Sequence, residues 1–244
     1  MSDEFYIGYE GRVPPSARAR VAGAVAVALA GGLLVSAVIV LAQAPFARSS
    51  FAFGQPTPHR GVIRLDPYPS LDTGAERVLL VAPGKRGAED LVRAFENQAV
   101  QLAGSVIERE GYRMVEVMAG SVQALQTLTA PMPSRLADLG ETRLEGEIVD
   151  GKCYLGVMNP GEGPVHRDCA RACLRGGLPA LFVVHTPDGR VVPFTLTSRA
   201  GASISRAIAP FAGRPVSIRG RAWVDPKANR WILRADVQDI ELRR

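Results

Sequence analysis

The sequence predicts a mainly β protein in which a single N-terminal transmembrane helix is followed by two OB-like small β-barrel domains in tandem. Three observations lead there. The first is an uncharged apolar run at Val21–Ala42. The second is a series of segments whose apolar residues alternate with period two, the mark of half-buried strands. The third is that the chain beyond residue 60 says the same thing twice, in the same order.

The run "VAGAVAVALAGGLLVSAVIVLA" holds 22 residues without a charge. As a helix it extends ~33 Å at ~1.5 Å per residue, enough to cross the hydrocarbon core of a bilayer. Gly31-Gly32 and the many alanines weaken a helix in water but are tolerated in lipid, where they offer a smooth face to a neighbouring helix. Two other readings exist. "AQA" at Ala42–Ala44 looks like a cleavage site, yet the run exceeds the ~7–15 residues of a signal core and Pro45 follows at once. A buried soluble helix fits poorly with so long an uncharged stretch. The transmembrane helix is placed at 21–43.

Arg12, Arg18 and Arg20 precede the span, and Arg48 is the one arginine that follows closely. That asymmetry keeps residues 1–20 in the cytoplasm as a short stub and sends the rest outward. The expected location is the bacterial inner membrane, single-pass, with the C-terminal domains periplasmic. Phe46, Phe51 and Phe53 suit the outer interface, and Phe5, Tyr6 and Tyr9 of the stub suit a partner subunit or the membrane surface. Residues 44–60, rich in Pro, Ser and small residues, read as a linker.

The first OB-like domain is placed at 61–130 and the second at 140–244, joined by a stretch containing Pro131 and Pro133. "GVIRLDPY" (61–68) parallels "GEIVDGKC" (146–153), and "RVLLVAPGKRG" (77–87) parallels "ALFVVHTPDGR" (180–190). "FENQAVQLAGSVIEREGYRMVEV" (95–117) parallels "FAGRPVSIRGRAWVDPKANRWILRA" (211–235), with Val100-x-Leu102-x-Gly104 matching Val216-x-Ile218-x-Gly220. Before each of these last hairpins lies a short amphipathic segment, Ala88–Phe95 and Gly201–Phe211, suited to a helix capping a barrel end. Strands, helix, then a hairpin is the order of an OB-like barrel. A single β-sandwich with chance similarity is the competing architecture. Trp223 and Trp231, on opposite strands of the last hairpin, are expected to touch.

The second copy carries an insertion, 153–177, which holds all three cysteines and one of the three histidines. On the helix candidate "VHRDCARACLRGG", His166, Cys169 and Cys173 fall at i, i+3 and i+7, one face, with Gly176-Gly177 as a stop. Cys153, at the end of the preceding strand, is placed to approach that face. Three readings remain open. Cys153, His166, Cys169 and Cys173 make a closed tetrahedral set for zinc, or a thiolate-rich site for copper(I) with Met158 as a further ligand. A disulfide between Cys153 and Cys169 or Cys173 would staple the insertion to the barrel and stabilise by ~2–4 kcal/mol, with one thiol left over. A redox or catalytic thiol beside His166 is the third. The spacing C-x12-H-x2-C-x3-C matches no standard finger. Asp150 either orients His166 or shapes the "DG" turn.

This C…H-x2-C-x3-C…GG pattern, with "GEIVDGKC", "HRDCARACLRGGLPALFVV" and "GRPVSIRGRAW", resembles small exported bacterial OB-like β-barrel domains of uncharacterised function over residues 143–240. The resemblance implies an OB-like fold and an extracytoplasmic site, and brings no activity with it.

The formal net charge of +5 comes from scattered arginines, without a basic run interleaved with aromatics, so no nucleic-acid role is expected. Nor is there a Ser/His/Asp grouping, a phosphate-binding glycine loop or HExxH, so no catalytic residues are assigned and the protein is not expected to be an enzyme. His59 and His185 read as ordinary turn or surface residues. The expected role is a non-catalytic accessory subunit of a larger membrane complex of respiratory or redox type, with the lipid bilayer and other membrane subunits as partners. The alternative is a metal-binding (zinc or copper) or thiol-redox protein built on the cysteine cluster.

Overall fold

A computed structural model describes residues 14–42, 49–126, 136–225 and 230–243. Residues 1–13 of the N-terminal stub, the start of the expected linker, Pro131 and Pro133, and the turn of the last hairpin lie outside the described residues, while residues 15–20, expected in the stub, are already helical. The chain divides into two units, 1–46 and 47–244.

The first unit is helix α1, Pro15–Ala42. Pro15 occupies the first helical position, where its missing N–H costs nothing. No side chain of α1 is buried, and the helix is long and apolar enough to cross a membrane.

The second unit contains two closed five-stranded barrels. In the first, β2 (Thr57–Arg64), β3 (Ser70–Asp72) and β4 (Arg77–Val81) form an antiparallel meander. Helix α2 (Glu89–Val92) and a 3₁₀ turn at Arg93–Phe95 follow, then the hairpin β5 (Ala99–Arg109) and β6 (Tyr112–Val117). β6 runs parallel to β4, and β5 pairs with both β6 and β2, which closes the ring. Positive φ at both Glu110 and Gly111 gives the hairpin the tight turn that suits strand twist. Two short strands, β1 (Ser49–Phe51) and β7 (Gln123–Ala124), add to β5. The second barrel repeats the scheme. β8 (Ala137–Asp150), β9 (Ala180–His185) and β10 (Val191–Thr197) precede helix α4 (Ser205–Ile208), a 3₁₀ turn at Ala209–Phe211, and the strands β11 (Pro215–Asp225) and β12 (Arg230–Arg234). β12 is parallel to β10, β11 returns to β8, and β13 (Ile240–Leu242) pairs with β11. This is the OB-like strand order in both copies.

Three details differ from the sequence reading. The stretch expected to be linker to residue 60 already supplies β1 and the start of β2, with His59 on β2 opposite Leu102. Each barrel has three strands before its helix rather than two. Consequently "RVLLV" (β4) is the third strand of its barrel, whereas "ALFVV" (β9) is the second of the other, and the true counterpart of β4 is β10. Finally, Trp223 opposes Ile232 while Trp231 opposes Val224. A one-residue offset puts the two indoles on opposite faces. Trp231 instead meets Phe194 edge-on, and Trp223 lies under Arg221 and Arg234.

Each barrel has its own core, the first around Ile63, Leu80 and Leu102, the second around Phe182, Leu196 and Leu233. The barrels are joined by more than a linker. Tyr68, from the β2–β3 connection, is 1% exposed and belongs to the core of the second barrel. Its hydroxyl donates to the Leu196 carbonyl at 2.7 Å, beside Ser205, whose own hydroxyl donates to Leu178 O at 2.6 Å. A third cluster is shared, with Val81, Ile107 and Met114 of the first barrel packing on Val149, Leu155 and Leu181 of the second. The cysteine insertion sits in that shared layer.

Candidate metal centre

β8 ends in three fully buried residues, Ile148, Val149 and Asp150, and the chain then turns through Gly151 and Lys152 into a wide helical turn, Cys153–Val157. That turn is fixed from the first barrel. The Arg109 guanidinium donates to Tyr154 O (3.1 Å) and to Glu162 (3.1 Å), and stacks 4.0 Å from the centre of the Tyr154 ring. At Gly156 a Cβ would strike the backbone of Ser50 on β1. The chain returns through the loop 158–165 into helix α3, Arg167–Arg175, with Asp168 in its first turn and Arg175 in its last, both favourable to the helix dipole. His166 is the residue that precedes the helix. Gly177, at φ 85°, ends it, and the N–H of Leu178 closes on Cys173 O at 3.2 Å.

The structure brings all four expected residues together. The ligand atoms of Cys153, His166 and Cys169 lie within 4.8 Å of one another, and so do those of Asp150, Cys153 and Cys173. Cys153 belongs to both groups. Four ligands around zinc at ~2.3 Å place sulfurs ~3.7 Å apart, inside the 4.8 Å limit within which each group lies. Cys153, His166 and Cys173 are buried, and Cys169 is half-buried. All three cysteines are free thiols in this structure. Met158 follows the Cys153 turn with an exposed side chain.

Asp150 performs both of the roles weighed for it. Its Oδ1 accepts the N–H of Cys153 at 2.9 Å and so shapes the turn, while its Oδ2 lies 3.0 Å from His166 Nε2. With Nε2–H donated to a carboxylate, Nδ1 carries the free lone pair, the arrangement that orients metal-binding histidines. His185, by contrast, ends β9 exposed and takes no part.

The thiols do not share their protons equally. Cys153 is held far above the usual thiol range, chiefly because its S–H is hydrogen-bonded to Cys173 and then because it is buried. Cys173, receiving that bond, is pulled down. Burial and the charge of Cys173 raise Cys169, partly offset by Lys85. A buried cysteine is often a small apolar filler, and Cys153 and Cys173 do pack in the shared apolar layer. A filler has no need of a second and third thiol or of a buried carboxylate–imidazole pair beside it.

Two residues of the site escaped the sequence reading. Lys152, 3% exposed, donates its ammonium to Ala82 O (2.9 Å) and Gly84 O (2.8 Å) of the first barrel and pairs with Glu116. The Lys85 ammonium, in the same first-barrel loop, is held above its usual range, chiefly by the charge of Cys169. No signal in the sequence could have found them, because the contacts join segments far apart in the chain. Among known proteins, no family model matches the chain and no curated protein matches it in sequence.

Proposed function

We propose that the chain is a membrane-anchored metal-binding protein in which Cys153, His166, Cys169 and Cys173 hold one zinc or copper(I) ion, with Asp150 orienting His166. The observation that carries this reading is the convergence of three free thiols and a carboxylate-backed imidazole at the end of one barrel strand. Soft thiolates favour zinc and copper(I) over magnesium or calcium. With four protein ligands the centre is closed, which suits a structural or storage site rather than a hydrolytic one that keeps a position open for water. The apolar helix α1 supports a single-pass anchor, and the arginines before it support barrels outside the cytoplasmic membrane.

The test is elemental analysis with thiol titration on the full chain in mild detergent. One equivalent of zinc or copper per chain, with thiols that react only after a chelator is added, is the expected result. Absence of metal after reconstitution, or two cysteines found oxidised to each other, overturns it.

A second reading, a docking subunit of a larger membrane complex, is favoured by α1, none of whose residues is buried and whose Gly23, Gly31 and Gly32 face open space. Small residues there allow another helix to approach closely. Co-purification of a stoichiometric partner from native membranes is its expected result, and migration as a lone monomer counts against it.

A further inference from the structure

Where the outer faces of the two barrels meet, the shared apolar layer does not close completely. In β4, Val78 and Leu80 belong to the first core, so Arg77 and Leu79 fall on the opposite face, toward the second barrel. In β12, Trp231 and Leu233 pack on the second core, so Arg230, Ile232 and Arg234 fall on its outer face. Across that outer face Ile232 lies beside Thr195, and Thr195 beside Leu181. Residues of both faces enclose a cavity of about 230 Å³, with Leu79, Leu155, Leu181 and Trp231 among its apolar walls. Four arginines, Arg77, Arg113, Arg230 and Arg234, line it against two carboxylates, Asp66 and Glu76, so the lining is positive in balance. Arg113 is paired with Glu76 (3.2 Å) and Glu108 (3.1 Å), and Arg234 lies 4.6 Å from the centre of the Trp223 ring. The Arg77 Nε is buried and finds no hydrogen-bond partner among the described residues. Burial, and next the charge of Arg230, hold the Arg77 guanidinium below the usual arginine range, with Asp72 pulling the other way. Burial lowers Arg230 as well, offset in part by Asp225 and Asp72. Arginine keeps its proton all the same. Two cations are thus held at the border of an apolar layer at a cost that an incoming anion relieves.

We propose that this cavity binds a small organic anion, a carboxylate on a short apolar body, with Arg77 and Arg230 taking the carboxylate and Leu79, Leu155 and Leu181 receiving the body. The planar guanidinium fork matches the two oxygens of a carboxylate. The apolar walls favour an anion with a hydrocarbon part over inorganic phosphate, and Asp66 in the lining disfavours a second negative charge. Pockets for drug-sized ligands run ~300–1,000 Å³, so the occupant of this one is smaller. The site goes beyond the metal reading and does not depend on it. Of its lining, only Leu155 belongs to the turn that carries Cys153.

The experiment is calorimetric titration of the full-length protein, in nanodiscs of neutral lipid, with butyrate, hexanoate and benzoate, with the neutral amide of each, and with inorganic phosphate. Expected is saturable one-to-one binding of at least one carboxylate, at least about tenfold tighter than its amide or phosphate. Arg77→Met and Arg230→Met should each weaken that binding at least about tenfold, the scale of a charge-assisted contact, while still unfolding cooperatively. Absence of saturable binding by all three carboxylates overturns the site. So does an amide or phosphate that binds as tightly, or an affinity unchanged in both variants when folded. Where a variant fails to fold, the ratio of carboxylate to amide affinity on wild type decides alone.

Discussion

Serine at position 153 is expected to empty the metal centre. Cys153 is the member common to both groups of converging ligand atoms, so its loss breaks every four-ligand combination the site offers. Losing a partner one step from the metal typically costs 10–100-fold in affinity, and losing this ligand should cost more. Elemental analysis of Cys153→Ser after the same reconstitution as wild type checks it. Retention of a full equivalent would mean the ion is held elsewhere. The proton arrangement gives a companion signature. Cys153 and Cys169 are both held protonated above the usual thiol range, and Cys173 below it. A divalent ion that converts the set to thiolates must displace their protons, so apparent affinity should rise with pH. Competition titrations at two pH values read the slope directly.

Lys152→Ala is the substitution expected to cost most in stability. The ammonium is buried and carries three partners, the Ala82 and Gly84 carbonyls and the Glu116 carboxylate. Removing one side of such a pair strands the others. Breaking a buried pair from one side typically costs about 3–5 kcal/mol. In a unit of this size that lowers the melting temperature by roughly 6–20 °C, at ~2–4 °C per kcal/mol. Calorimetry or urea unfolding of metal-free protein isolates this from any effect on metal. Adding Glu116→Gln to the variant should recover part of the loss, since the carboxylate is then no longer left charged without its partner. An unfolding midpoint unchanged within error for Lys152→Ala would show that water replaces the ammonium freely.

The elements most legible in the sequence were those with a long pattern. Twenty-two uncharged residues announce α1, and the paired hairpins declare themselves through alternation over a dozen positions. The third strands did not. β3 is three residues long, too short to show any period, and β10 contains Pro193, a residue that argues against a strand. β9 invited comparison with β4 because five of its six residues are buried, a continuous apolar run produced by packing on both faces. At the cluster, helical spacing was enough to gather His166, Cys169 and Cys173, and the strand end was enough to bring Cys153. What spacing could not show was the contribution of the other barrel. Lys85, Lys152 and Arg109 act across distances in sequence that only the docking of two barrels closes.

That docking has a consequence for the history of the chain. The ring of Tyr68 is made by one half and housed by the other. With an aromatic side chain from one barrel lodged in the other, neither can be exchanged, lost or borrowed alone without leaving a hole on one side and a greasy knob on the other. The halves have become heritable only as a couple.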